Sequence, residues 1–132
     1  MAENLECHER PGYLEVCFLG TYELSRYKGQ MLGSVEVARE KKFTHILVNL
    51  LGLAGYDPST NDRYEIGNYG GEISRDFRIA ALLLPEQWGD RFITKVARNR
   101  GVDIAAFTDR EEALAWLLEA SPGPGAAAVT PG

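Results

Sequence analysis

The stretch Thr44–Leu51, with the sequence THILVNLL, constrains the fold of this chain more than any other. From Ile46 on, its apolar residues follow one another almost without a break, and only Asn49 interrupts them. A strand that is covered on both faces, as in the middle of a parallel sheet, has this composition. The loop Gly52–Thr60 follows, and a helix is predicted to begin near Asn61. Because sites in open α/β sheets form outside the carboxyl ends of strands, this loop is the predicted functional edge.

The amino-terminal segment predicts an antiparallel hairpin. Its strands are expected at Asn4–His8 and Tyr13–Leu19, with a turn at Glu9–Gly12. The alternation of apolar and polar residues then places one apolar set on a single face of the hairpin, namely Leu5, Cys7, Leu14, Val16 and Phe18.

Both cysteines are predicted to be free thiols that pack within the fold. In the expected hairpin register Cys7 faces Leu14, and Cys7 and Cys17 then lie about 10 Å apart, too far for a disulfide. Two unpaired cysteines suit a reducing compartment.

Helical and strand patterns alternate through the rest of the chain. The helix near Asn61 is expected to be irregular or to end near Gly70, because its closely spaced glycines disfavour a helix. Ser59, three residues before Asp62, is a candidate helix cap. The other elements are predicted as a helix at Ser25–Lys42, a strand at Arg78–Leu84, a helix at Arg91–Arg100, a strand at Asp103–Phe107 and a helix ending near Glu119. This last helix is expected to begin at a capping box, either Thr108 with Glu111 or Asp109 with Glu112, and to face the core with Ala113, Leu114, Leu117 and Leu118.

The resulting order predicts a single α/β domain over residues 1–120. An amino-terminal β-hairpin is followed by alternating βα units, which gives a mostly parallel five-stranded sheet with four helices. Residues 121–132 are rich in Pro, Gly and Ala and are predicted to be a disordered tail.

Charge and hydropathy argue against nucleic-acid binding and against a membrane span. The net charge of −5 argues against nucleic-acid binding, which requires a basic surface. Arg91, Lys95 and Arg98 could share one helix face, which is interpreted as a solvated face. No apolar run approaches the ~20 residues that span a bilayer, and the amino terminus lacks a signal pattern, so a cytoplasmic protein is expected.

The sequence predicts no catalytic residue, metal site or cofactor. Cysteine and histidine residues lack the spacing of metal ligands, and the glycine-rich nucleotide-binding motifs are absent. Ser59 has no His–Asp partner nearby, and Asp57 and Asp62 are explained as turn and cap residues. Backbone N–H groups at the helix start leave an anion site open.

The segment from Arg78 to Leu118, RIAALLLPEQWGDRFITKVARNRGVDIAAFTDREEALAWLL, resembles the carboxyl-terminal half of STAS-like domains. The similar branch is named for the sporulation anti-sigma-factor antagonist and is grouped with CRAL-TRIO lipid carriers. Its signatures here are Phe107-Thr108-Asp109 and Glu112-Ala113-Leu114-Ala115-Trp116-Leu117. The resemblance covers about residues 4–119 and implies a non-catalytic bacterial regulatory domain, with a homodimer left open.

The resemblance also implies a phosphorylation switch. In the antagonists the central strand is followed by Asp-Ser-Ser-Gly, whose second serine is modified. Here the aligned residues are Asp57-Pro58-Ser59-Thr60, so Asp57 and Ser59 match the motif whereas Pro58 and Thr60 differ. Ser59 and Thr60 are therefore the candidate phosphorylation sites, and capping of the helix is the alternative role for these hydroxyls.

Two hypotheses for function follow. In the first, a protein-interaction module uses a docking edge, Gly55–Tyr64, on which Tyr56, Asp57, Ser59, Arg63 and Tyr64 are expected to be exposed. In the second, a carrier or sensor holds a small apolar or anionic ligand, such as a lipid or nucleotide, between the second helix and the sheet. Tyr64, Tyr69, Trp88 and the glycines would line that space, and ordinary core packing is the alternative for the aromatic residues.

Overall fold

The computed structural model describes residues 4–119, with the side chains of residues 88–92 excepted. The chain passes in order through β1 (Leu5–Arg10), β2 (Tyr13–Phe18), β3 (Gly20–Thr21), α1 (Leu24–Glu40), β4 (His45–Asn49), β5 (Leu53–Ala54), α2 (Thr60–Ile73), β6 (Arg78–Leu82), a 3-10 helix (Pro85–Asp90), α3 (Arg91–Asn99), β7 (Asp103–Phe107) and α4 (Arg110–Leu117). The predicted tail at 121–132 lies outside the described residues.

Five of these strands form one sheet in the order β1-β2-β4-β6-β7. β1 is antiparallel to β2, whereas β2, β4, β6 and β7 run parallel to one another. Within residues 4–119 the protein is therefore an α/β fold with a mostly parallel five-stranded sheet and four α-helices, which confirms the predicted fold class.

β4 lies in the middle of the sheet and is buried from both sides. Ile46 belongs to a large core beneath α1, α2 and α3, whereas the next residue, Leu47, packs in a smaller core with Ala113 and Leu117 of α4. Successive side chains of a strand point to opposite faces, so a strand covered by helices on both faces needs an unbroken apolar run. The prediction of a central strand covered on both faces is confirmed.

The hairpin forms in a register different from the one expected. Cys7 pairs with Val16 rather than with Leu14, because the strands extend to Arg10 and Tyr13 and the turn is correspondingly shorter. The shift is an even number of residues, so the apolar set still shares one face. Cys17 pairs with Glu6, which places the two thiols on opposite faces, and both are free.

β4 ends earlier than expected because of Asn49. Its side-chain oxygen accepts a hydrogen bond from the backbone N–H of Leu51 at 2.9 Å, which turns the chain out of the strand. The interruption in the apolar run thus marks the strand end, and Leu51 is exposed. β6 likewise ends at Leu82, before the predicted Leu84.

The expectation that α2 ends near Gly70 is wrong, since the helix continues to Ile73. A Cβ atom at Gly67 would lie 2.6 Å from the Val96 side chain, and one at Gly71 would lie 2.4 Å from that of Arg100. These glycines therefore allow α2 and α3 to pack closely, and this packing outweighs the helix propensity that glycine lacks.

α4 begins at a cap that the sequence predicts. Asp109 accepts a hydrogen bond from the backbone N–H of Glu112 at 2.9 Å. Ala113 and Leu117 face the core as expected, but Leu118 lies beyond the end of the helix and is exposed.

Candidate functional site

The segment after β4 is fixed by a second, small sheet that the sequence analysis did not predict. β5 (Leu53–Ala54) pairs in parallel with β3 (Gly20–Thr21), and the backbone N–H of Tyr22 donates to Ala54 at 2.8 Å. Gly55 follows with a φ of +64°, a conformation that suits glycine. The predicted loop Gly52–Thr60 is thus partly ordered by strand pairing.

Tyr56 is buried, so the expectation that it is exposed is wrong. Its side chain is 8% exposed, and its ring stacks on that of Tyr27 with 5.3 Å between centroids. The hydroxyl oxygens of Tyr56 and Tyr27 lie 3.2 Å apart, and the Tyr22 ring meets Tyr56 edge-on. Tyr56 therefore anchors the docking edge to α1, because an amphipathic ring can bury its face and still satisfy its hydroxyl.

The residues after Tyr56 carry exposed polar groups. The Asp57 side chain is 94% exposed, and one of its oxygens lies 3.6 Å from a terminal guanidinium nitrogen of Arg63. Ser59 and Thr60 are exposed at the start of α2. The Ser59 hydroxyl accepts a hydrogen bond from the backbone N–H of Asp62 at 3.1 Å, so the predicted capping role is confirmed.

Asp62 joins the start of α2 to the short segment between β3 and α1. The Tyr22 hydroxyl donates to the Asp62 carboxylate at 2.8 Å. This contact, together with the Ser59 cap, holds the helix start in one position. The Asp62 carboxylate thus takes part in a structural hydrogen bond, which agrees with the interpretation of Asp62 as a structural residue.

Arg63 is partly buried. Its side chain is one-quarter exposed, and its Nε atom is buried without a hydrogen-bond partner among the residues that the structure describes. A buried donor without a partner costs free energy, and the ion pair with Asp57 engages only a terminal nitrogen of this guanidinium.

Tyr64 is half-exposed, as expected, but it faces a different part of the surface. It borders a groove between α2 and α3, which we call the α2–α3 groove, together with Lys95, Val96, Asn99 and Arg100. The residues of the predicted docking edge therefore lie on two different surfaces of the protein. Gly55 and Asp57 lie on one, and Tyr64, which follows on α2, lies on the other.

An open cleft lies at the carboxyl ends of β4 and β6, and we call it the strand-end cleft. Its volume is about 630 Å³, and it is bordered by Leu51, Gly52, Leu53, Ala54, Gly55, Tyr56, Asp57, Leu84, Glu86 and Gln87. The last three follow β6, and the sequence analysis did not assign them to the site. The rule that sites form outside strand ends applies to β6 as well as to β4 and could have identified them.

A smaller cavity lies between the sheet and helices α1, α2 and α3. Its volume is about 80 Å³, and its walls are largely apolar, including Phe18, Met31, Ile66 and Ile93. Of the lining expected for a ligand carrier, Gly70 borders this cavity, whereas Tyr64 and Tyr69 do not. Gly67 and Gly71 are covered by side chains of α3. Trp88 was also expected to line the ligand space, but its side chain lies outside the part that the structure describes.

A buried carboxylate binds an arginine away from the docking edge, on the α4 side of the sheet. Glu15 is buried there, and Arg110 donates to both of its carboxylate oxygens, at 2.9 and 3.2 Å. Asn49 donates to the same carboxylate at 3.1 Å. The Arg110 guanidinium lowers the pKa of Glu15 to about 2, although burial acts in the opposite direction. This pair holds the start of α4 against β2.

The cysteines have the properties of packing residues. Burial raises the pKa of both the Cys7 and the Cys17 thiols, and the Glu15 carboxylate adds to the effect at Cys17. A thiol with a raised pKa is a poor nucleophile near neutral pH. Within residues 4–119, no three His, Cys, Asp or Glu side chains converge as a metal site would require.

In the part of the chain that the structure describes, no helix has the length and apolar character needed to cross a membrane. No protein-family model matches the chain, and no curated protein matches it significantly.

Among solved structures, the chain is similar to an uncharacterized protein from the DUF3478 family with a SpoIIAA-like fold, from Shewanella loihica PV-4. The two are 22% identical with a TM-score of 0.50, and the match covers 86% of this chain and 91% of that one. Similarity at this level establishes the fold. The chain has a SpoIIAA-like fold, which is the fold that its resemblance to STAS-like domains implies.

Proposed function

We propose that this protein is a STAS-like regulatory module that binds a partner protein in the cytoplasm through its docking edge. The observation that carries the proposal is the contrast between the base of the edge and its surface. Tyr56 is fixed by ring stacking, whereas Asp57 is 94% exposed one residue later. Polar groups that project from a fixed base can bind a partner with little loss of conformational entropy.

The strand-end cleft supports the same proposal. Its lining combines the apolar side chains of Leu53 and the exposed Leu51 with the charged side chains of Asp57 and Glu86. Apolar surface bordered by charged side chains is the arrangement expected of a protein interface. The site residues predicted for partner binding are Gly55, Tyr56, Asp57, Arg63 and Tyr64, with Tyr56 acting from beneath the surface.

Ser59 and Thr60 are the proposed sites of phosphorylation. A phosphate on Ser59 would lie at the start of α2, where the helix dipole favours negative charge. It would also stand close to the Asp57 carboxylate, which would repel it and could displace Arg63 from the ion pair. Modification would thus change the charge that a partner meets.

Affinity capture tests the docking edge. The purified protein, Asp57→Arg and Ser59→Asp are each used to capture proteins from a lysate of the source cells. Glu36→Arg is the matched control, because Glu36 is exposed on α1, far along the chain from the edge. We expect the two edge variants to lose a protein that the wild type and the control retain. Identical captured proteins from all four would contradict the proposal.

A carrier or sensor of a small apolar molecule is the second candidate, and the internal cavity favours it. The cavity is about half the size of one that binds benzene, so it fits a small apolar molecule and would have to expand for a lipid. Its largely apolar walls favour an apolar ligand over an anionic one.

Native mass spectrometry tests this second candidate. A bound molecule should co-purify with the wild type and be absent from Ala97→Leu, because Ala97 borders the cavity and a larger side chain would fill it. A wild-type protein that carries no such molecule would contradict the carrier function.

A further inference from the structure

We propose that the α2–α3 groove binds an acidic segment of a partner protein. The groove has a volume of about 260 Å³, enough for one or two side chains, and Tyr64, Lys95, Val96, Asn99 and Arg100 border it. The groove shares Tyr64 with the docking edge, but the inference does not rest on the proposed function, because the strand-end cleft and the exposed residues Asp57 and Ser59 play no part in it.

Two glycines determine how the groove forms. Gly67 and Gly71 lie one turn apart on α2, and the side chains of Val96 and Arg100 press against them. The helices therefore approach closely over these four residues. Tyr64 lies one turn before Gly67 on α2. Its large side chain keeps the two helices further apart than they are at the glycines, and the groove opens between its ring and α3.

The two cations of the groove are available for a ligand. Lys95 and Arg100 are exposed, and among the side chains that the structure describes, neither has a carboxylate within ion-pair distance. By contrast, the exposed cations Arg39 and Lys41 have carboxylate partners, Asp76 and Glu9. Lys95 and Arg100 border the same groove, so they present two neighbouring positive charges to a ligand.

Arg100 is also held in a defined orientation. Its Nε atom donates to the Asn68 side-chain oxygen at 2.8 Å, and its stem packs on Gly71. This leaves the two terminal nitrogens of the guanidinium, which form the fork that binds a carboxylate through two parallel hydrogen bonds. A fixed arginine loses less conformational entropy on binding than a mobile one.

The groove thus combines a carboxylate-binding arginine and a lysine with apolar surface. The Tyr64 side chain is 50% exposed, and Val96 lies beside it, so an aliphatic side chain can pack between them. Tyrosine and arginine are the residue types that contribute most at protein interfaces. The ligand that matches these groups is a peptide in which glutamate or aspartate residues flank an aliphatic residue.

Charge and shape favour a peptide over an anionic membrane surface. Recognition of anionic lipids by charge uses clusters of about four to eight basic residues. The groove presents two, and the exposed carboxylate of Glu65 lies next to Tyr64 along α2. A concave groove also matches a single side chain better than a flat bilayer.

A nuclear magnetic resonance titration of the full-length protein tests the proposal. The probe is the capped hexapeptide Gly-Glu-Leu-Glu-Glu-Gly, and its analogue with glutamine in place of glutamate is the control ligand. We expect saturable shifts at the backbone amides of Tyr64, Lys95 and Arg100, with a dissociation constant below about 1 mM. The glutamine analogue should cause no such shifts.

Charge reversal at Lys95 should weaken probe binding about tenfold. Lys95→Glu is chosen because the side chain is exposed and the substitution should leave the fold intact, which the spectrum verifies. Lys42→Glu makes the same charge change at an exposed position in the turn after α1, so it is the matched control and should bind the probe as the wild type does. Equal affinity in Lys95→Glu, shifts confined to other residues, or binding to anionic vesicles without binding to the peptide would each overturn the proposal.

Discussion

Single polar side chains determine where three of the elements begin or end. Asn49 ends β4, Ser59 starts α2, and Asp109 starts α4, each through a hydrogen bond to a backbone N–H two or three residues away. Contacts this local can be predicted from sequence, and the caps at Ser59 and Asp109 were. Burial of Tyr56 could not be predicted, because its partner Tyr27 lies on α1 and is separated from it along the chain by β4 and β5.

Removal of the Ser59 hydroxyl should lower the free energy of unfolding by about 1 kcal/mol. The reason is the loss of the hydrogen bond from the Asp62 N–H in Ser59→Ala. Ser59→Asp should differ from the wild type by only a few tenths of a kcal/mol, since aspartate caps equally well. Urea unfolding measures all three proteins. A stable Ser59→Ala variant would contradict the capping role and leave regulation as the main role of this serine.

Substitution of Glu15 should make stability less dependent on acid pH. Glu15→Gln removes the charge that Arg110 binds, and we expect a loss of about 1–3 kcal/mol at pH 7. The pKa of Glu15 is about 2 in the folded protein and is lowered from 4.5, so its contribution is fully present above about pH 4.5. It is lost progressively as the pH falls toward 2.

Urea unfolding at several pH values checks this prediction. The difference between wild type and Glu15→Gln should be constant from pH 7 to about 5 and should shrink below that. Glu36→Gln is the control, with an exposed carboxylate on α1. A difference that persists unchanged at low pH would show that the charge of Glu15 is not what holds α4.

At the level of the elements, helix α2 shows why packing overrides local propensity. Its glycines predict a weak or short helix when they are considered alone. In the structure two of them accommodate α3, so the same residues become necessary for the helix pair. No sequence pattern within α2 identifies its partner, since Val96 and Arg100 lie about 30 residues further on.

Alanine should have opposite effects at two helical glycines. At Gly67 it would place a Cβ atom 2.6 Å from Val96, and we expect a loss of about 1–3 kcal/mol from overpacking. At Gly29 nothing lies within 4 Å of the added atom, so alanine should stabilise α1 by about 0.5–1 kcal/mol. Thermal or urea unfolding compares both variants with the wild type. Stabilisation in Gly67→Ala would contradict the close packing of α2 on α3.

The hairpin shows the same limit at the level of strand pairing. Alternation predicted correctly which residues share a face, because any even register shift preserves it. The register itself depends on the length of the turn. The sequence around Pro11 and Gly12 is compatible with more than one turn length, and therefore with more than one register. The pair β3–β5 was not predicted because each strand contributes only two residues.

For the whole molecule, the order of strands and helices predicted the fold, and the apolar run of β4 predicted its central place in the sheet. The docking edge was predicted from the rule that sites lie at strand ends, and its exposed residues Asp57 and Ser59 agree with that rule. The part contributed by Leu84 and Glu86 was not predicted, although the same rule applied to the end of β6 would have identified it. The separation of Tyr64 from Asp57 was not predicted, because it depends on how α2 packs.

Photo-cross-linking in the source cells is the most direct test of the docking edge. A photo-reactive amino acid replaces Asp57 in one variant and Glu36 in a control, since both side chains are exposed and only Asp57 lies on the edge. We predict a defined cross-linked partner protein from position 57 that is absent from position 36. The same products from both positions, or no product from position 57, would contradict the account.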